Sequence, residues 1–314
     1  MNLNNKTTMI TESAVIAALM TIFVFLGLYL TPIILLLYPI PFIIIGVRHN
    51  IKASMATIIV SFILVSILID PFTSAFISML FGLLAIVLTF MINKEYDSYK
   101  TIVVGTLSSF LSIIVTIMVT GYISGIKVYY MLKNNLDSIL NTQRNLLNEM
   151  SLPSEQINEM IDLISEAFDY TLLIFPVILI VLALFTTYMN YWLSLSILRR
   201  LNYKNIKVPD FSKFRLPNDI IPGIAVIGIL SMIISYYELF YYDTIIINLI
   251  VLGIFLFFLQ GLSVIVYLLN KTKISKILKG LIIVFLVFTG GLMTIIALIG
   301  LVDAIFNFRK IKRD

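Results

Sequence analysis

Nine stretches of this chain are apolar and free of formal charge, and nothing else limits its possible folds as much. Residues 10–30, 33–47, 53–69, 72–92, 101–126, 171–198, 220–237, 244–269 and 281–301 contain no Asp, Glu, Lys or Arg apart from Glu12. A helix needs about 20 apolar residues, and at least about 17, to cross the hydrocarbon core of a bilayer. Lipid offers the backbone no hydrogen bonds, so only helices and closed barrels span it. No run alternates polar and apolar residues as a barrel strand does. The expected fold is therefore an all-α, polytopic transmembrane helical protein with nine or ten spans. Segment 33–47 is short and carries Pro39 and Pro41. It reads as a bent or partial helix, since proline lacks a backbone donor and clashes with the preceding turn.

Composition agrees. Of 314 residues, 60% are hydrophobic and 12% charged, against about 25% charged in soluble domains. The mean hydropathy is +1.04. The first apolar run reads as a span and not as a cleavable signal, because it is long and more membrane follows at once.

The net charge is +5. The basic residues sit in short loops between apolar runs, which speaks for topology and against nucleic acid. With the N-terminus in the cytoplasm, the inner loops carry Arg48 and Lys52, then Lys94 and Lys100. Loop 199–219 adds Arg199, Arg200, Lys204, Lys207, Lys213 and Arg215, and loop 270–280 adds Lys271, Lys273, Lys276 and Lys279. The outer turns near Thr31, Asp70 and 238–243 carry none. Nine spans would put the tail with Arg309, Lys310, Lys312 and Arg313 outside. A break at Gly290-Gly291, making a hairpin of 274–289 and 291–308, returns it to the cytoplasm. The expected location is a bacterial cell membrane.

Residues 127–170 form the one large polar stretch, placed outside, with three basic and seven acidic residues. Leu132, Leu136, Ile139, Leu146 and Met150 recur at helical spacing, as do Ile157, Ile161, Ile164 and Phe168. Residues 151–155 look like a helix start. The expectation is an acidic helical hairpin that continues its neighbouring spans. The chain thus divides into a membrane part of 1–126 and 171–198, the hairpin 127–170, a basic cytoplasmic loop 199–219, and a C-terminal membrane part 220–314.

Chemistry is sparse. There is no cysteine, which excludes disulfides and thiol nucleophiles, and His49 is the single histidine. No Gly-rich loop ends in Gly-Lys-Ser/Thr, and neither a His-Glu-x-x-His nor a nucleophile elbow is present. No acid sits mid-membrane beside a second titratable group, as a proton relay requires. The chain reads as a non-enzyme, with no cofactor and no metal site.

Four features point to binding. Ala14 and Ala18 share a helix face, and small residues at that spacing admit another helix; internal packing explains the same pattern. Asp70, beside Pro71, either caps the following helix or faces a ligand from outside. Tyr237 and Glu238 lie in an aromatic cluster that anchors at the interface or holds a cationic or planar ligand. Asn190, Trp192 and Gln260 are polar or amphipathic groups in spans, where inter-helix contacts are the usual role.

The Ala14/Ala18 helix, the segment Leu37-Tyr38-Pro39-Ile40-Pro41 and the basic loop Arg48-His49-Asn50-Ile51-Lys52 resemble the substrate-binding S component of energy-coupling-factor transporters, over about 1–198. That resemblance implies a substrate-binding or transport subunit, with a partner membrane subunit and ATPase docking on Ala14 and Ala18. The segment from Leu298 to Lys310, with Leu216-Pro217, is similar to the YybS-like family of bacterial membrane proteins. The alternative is a membrane scaffold or assembly factor whose outer hairpin binds an envelope protein.

Overall fold

A computed structural model of the protein describes residues 3–125, 128–150, 153–203, 208–217, 219–236 and 242–311. All regular structure among them is helical. The helices are α1 (Leu3–Tyr29), α2 (Pro39–Arg48), α3 (Ile51–Leu68), α4 (Pro71–Asn93), α5 (Ser98–Ser124), α6 (Val128–Glu149), α7 (Ser154–Leu173), α8 (Phe175–Arg200), α9 (Ile220–Tyr236), α10 (Tyr242–Lys271), α11 (Lys276–Phe288) and α12 (Met293–Phe306). Over its described residues each of the nine apolar stretches is largely helical. Among the described residues six helices, α1, α3, α4, α5, α8 and α10, are long and apolar enough to cross a membrane. The other three stretches are short or broken. The protein is a multi-pass helical membrane protein in contact with the lipid bilayer.

The helices gather into two compact units, Met1–Phe168 with Ile178–Pro209, and Asp169–Val177 with Asp210–Asp314. In the first, α3 packs on α1 and α4, α2 on α3 and α4, and α5 on α4. Tyr38, Phe42, Leu84 and Leu88 are fully enclosed at its centre. Segment 33–47 is bent as its prolines require: a 3-10 stretch, Pro32–Leu37, precedes the ten-residue α2. The carbonyl of Leu36 receives a hydrogen bond from Asn190 Nδ2 at 2.8 Å. A side chain from another helix thus satisfies backbone that the irregular segment leaves open.

Over its described residues the stretch 127–170 is helical, as α6 and α7, and a break sets it off from the span on each side. Gly125, at φ +67°, ends α5 in the left-handed region. At the other side α7 stops at Leu173, and α8 restarts at Phe175 with Pro176, which has no N–H to offer. Asn248 bridges that break, donating to Leu173 O at 2.7 Å and accepting from Val177 N at 3.0 Å. Within the hairpin, Leu136, Ile157 and Ile161 are buried, and Arg144 donates to Asn158 at 3.1 Å. The α6 stripe is shifted from the expected one. Ile139, Leu146 and Met150 are exposed, while Leu140 and Leu147 turn inward with Leu132 and Leu136.

In the second unit α10 and α12 are the main pair. Gly261 and Gly300 face each other, and a Cβ on either would collide with backbone of the other helix. In lipid, close packing of this kind takes over the role that hydrophobic burial has in water. The break at Gly290-Gly291 is present, as a 3-10 turn between α11 and α12. The two helices are bent by 85° there, a right angle and not a hairpin.

Candidate functional site

The strongest candidate lies where α5 meets α8. The two helices approach at Gly105, whose missing side chain makes room for Thr187, and at Ser98, whose hydroxyl is 3.2 Å from Tyr191 OH. Glycine is needed there, because a Cβ would press into Thr187 Cγ2 and Leu88. Along α5 the inward positions are Thr101, Gly105, Ser109, Ser112 and Thr116, a run of small and mostly hydroxylated residues. On α8, Thr187, Asn190 and Ser194 share one face and have no exposed surface.

Part of this polar material is satisfied locally. Thr101 and Thr116 each donate to the carbonyl four residues earlier. Asn190 Nδ2 donates to Leu36 O and to Thr186 O, which fixes the amide orientation and leaves Oδ1 as the remaining acceptor. That Oδ1, Thr106 Oγ1, Ser112 Oγ, Thr187 Oγ1 and Ser194 Oγ are buried and meet no hydrogen-bond partner. A buried group in that state costs about 1–3 kcal/mol. Small and hydroxylated residues are also what membrane helices carry where they pack closely. These groups keep unused hydrogen-bonding capacity.

Ala14 and Ala18 lie on the exposed side of α1, while Ala17, Met20, Thr21 and Val24 form its buried side. Asp70 caps α4. Its carboxylate accepts the Thr73 N–H at 2.7 Å, and hydrogen bonds from the Thr73 hydroxyl and backbone hold it below the usual carboxylate range. Tyr237 and Glu238 lie outside the described residues. Gln260 joins helices: Nε2 donates to Asp303 at 2.6 Å and Oε1 accepts from Leu216 N at 2.9 Å. Trp192 is 41% exposed. Asp70 and the two alanines are not brought to the α5–α8 seam.

Two charged clusters escaped sequence reasoning. Glu12 pairs with Arg48 and His49, each at 2.9 Å, joining α1 to the end of α2. In the second unit, Arg309 and Asp303 form a fully enclosed ion pair. Asn307, at φ 47°, ends α12 in the left-handed region and turns the chain back so that Arg309 reaches Asp303. The guanidinium also donates to Ser212 O, Phe214 O and Ser263 Oγ. No sequence spacing pointed to this partner set, which is drawn from three separate segments.

Among the described residues no three His, Asp or Glu side chains gather as a metal site would require. No curated protein and no solved structure matches the chain. A family model described as "Predicted membrane protein (DUF2232)" matches residues 15–304. That match covers most of the chain, and the chain belongs to this family of predicted membrane proteins.

Proposed function

We propose that the protein is a non-enzymatic membrane subunit that binds a small polar solute at the α5–α8 seam and works with a partner supplying ATP hydrolysis. The observation behind this is the set of buried, unpartnered hydrogen-bonding groups on Thr106, Ser112, Thr187, Asn190 and Ser194. Groups of that kind are costly when empty and become useful when a ligand completes their bonds. A partner enters because the sequence has no phosphate-cradling loop of its own. The reading takes up what the S-component resemblance of residues 1–198 implies. It places the chain in the bacterial cell membrane, with the N-terminus, loop 199–219 and tail 309–314 cytoplasmic and 127–170 outside.

Ala14 and Ala18 are the docking face in this reading. Replacing both with Leu keeps helix propensity and membrane insertion but holds an approaching helix farther away. The double variant is expected to express normally and to lose a co-purifying ATPase-containing partner. Retention of that partner at the wild-type level would rule the face out.

A membrane scaffold is the second reading. Its support is the apolar surface left on the hairpin, where Ile139, Leu146, Met150 and Leu163 are each at least half exposed. An envelope protein captured through 127–170, with no ATPase, would favour it.

A further inference from the structure

We propose that a cleft at one end of the first unit binds the phosphate group of an anionic phosphate ester. The cleft has a volume of about 480 Å³ and is formed by the end of α2, the start of α3, the end of α4 and Tyr203. That is within the range of small-molecule sites.

The chemistry of the cleft follows from which groups are already engaged. A helix C-terminus normally presents unpaired carbonyls, which would repel an anion. Those of α2 are covered. Asn93 Nδ2 donates to Gly46 O at 3.0 Å. Tyr203 OH makes hydrogen bonds to Val47 O at 2.8 Å and to Arg48 O at 3.0 Å. The neighbouring acid is covered too, since both carboxylate oxygens of Glu12 are taken by Arg48 and His49. Among the described residues no acidic one lines the cleft. The polar group left along its wall with a full charge is the Lys94 ammonium, since the His49 ring already meets Glu12. An ammonium bonds a phosphate oxygen through a charge-assisted hydrogen bond, and lysine binds phosphate well as a point charge.

The opposite wall is apolar, made by Val47, Ile51 and Phe90. The cleft lies where α3 begins and α4 ends, both of them long enough to cross a membrane. An amphiphile with an anionic phosphate therefore fits, and so does a soluble phosphate ester with an apolar part. None of the α5–α8 seam residues lines this cleft, so the two sites stand or fall separately.

Full-length protein in detergent is titrated with phosphatidylglycerol, with phosphatidylcholine as the neutral-headgroup control, and bound lipid is counted by native mass spectrometry. Wild type is expected to bind phosphatidylglycerol in preference. Lys94→Gln, a change at an exposed side chain, is expected to weaken that binding about tenfold, the size of one charge-assisted bond. Lys133→Gln, exposed on α6, is expected to leave it unchanged. Competition with inorganic phosphate separates the sources: displacement of the lipid assigns the site to soluble phosphates, and no displacement assigns it to the lipid. Equal binding of the two lipids by wild type, or equal phosphatidylglycerol binding by wild type and Lys94→Gln, would overturn the proposal.

Discussion

Arg309 holds a single oxygen of Asp303 from two of its nitrogens, Nε at 3.2 Å and Nη2 at 2.8 Å. Neither side chain is more than 2% exposed. A buried pair is weak evidence of net stabilisation, because desolvating two charges offsets their attraction. Removing one partner is a different matter, since it strands a buried charge at a cost of about 3–5 kcal/mol.

Arg309→Gln and Asp303→Asn are each therefore expected to lower the melting temperature of the purified protein strongly. The double variant should lose less than the two single losses added together, because the groups are coupled. Arg309→Lys is expected to fail as a replacement. An ammonium cannot reproduce the fork that reaches Asp303, Ser212 O, Phe214 O and Ser263 at once. Thermal unfolding in one detergent, with all four variants compared, checks this. Additive losses would show that the pair is uncoupled.

Gly261 and Gly300 make a second sharp prediction. A side chain at Gly300 would run into Phe257 O, and one at Gly261 into Ile296 O. Gly300→Val should separate α10 from α12 and give aggregated or poorly folded protein on size exclusion. Gly280→Ala should be tolerated or mildly stabilising, since its Cβ meets nothing within 4 Å and alanine favours a helix by about 1 kcal/mol over glycine.

The hairpin is held by few apolar contacts. Leu136→Asp with Ile161→Asp should loosen it, because both side chains are buried, while leaving membrane insertion intact. Ile139→Asp should do nothing, because Ile139 is 51% exposed. Limited proteolysis of intact cells from outside reads the difference. Equal cleavage of wild type and the double variant would mean that the buried stripe does not hold the hairpin.

Topology is directly accessible because the chain has no cysteine. Single cysteines replacing Asn205 and Lys312 should resist an impermeant thiol reagent on intact cells, and one replacing Ser138 should react. Labelling at 205 would invert the orientation. Labelling at 312 alone would place the tail outside.

The six long spans were legible because lipid demands long, charge-free runs; the other three apolar stretches, expected as spans, are short or broken. The bend at Gly290-Gly291 was legible from the glycine pair, although its right-angle geometry was not. The hairpin limits were misread where single residues decide them. Gly125 and Pro176 end α5 and restart α8, yet each sits inside an apolar run that reads as continuous. The α6 stripe was ambiguous because Ile139-Leu140 and Leu146-Leu147 are apolar pairs, and one residue of shift exchanges inside for outside. The sites were least legible. Thr187 and Ser112 look like ordinary span residues until two helices are placed face to face. Glu12 with Arg48, Asp303 with Gln260, and Arg309 with Ser212 and Ser263 meet only through tertiary structure.

The central claim, a polar solute held at the α5–α8 seam, is tested most directly by solute occupancy in natively purified protein. Thr187→Val keeps the shape that fits against Gly105 and removes one unpartnered hydroxyl; Ser112→Ala removes another. Mass spectrometry of the wild type should find one polar small molecule near one per chain, and both variants should lose most of it. In a seam that is only dry packing, the same changes would remove buried, unsatisfied groups and raise the melting temperature. Wild-type protein with no bound solute, together with more stable variants, would contradict the account.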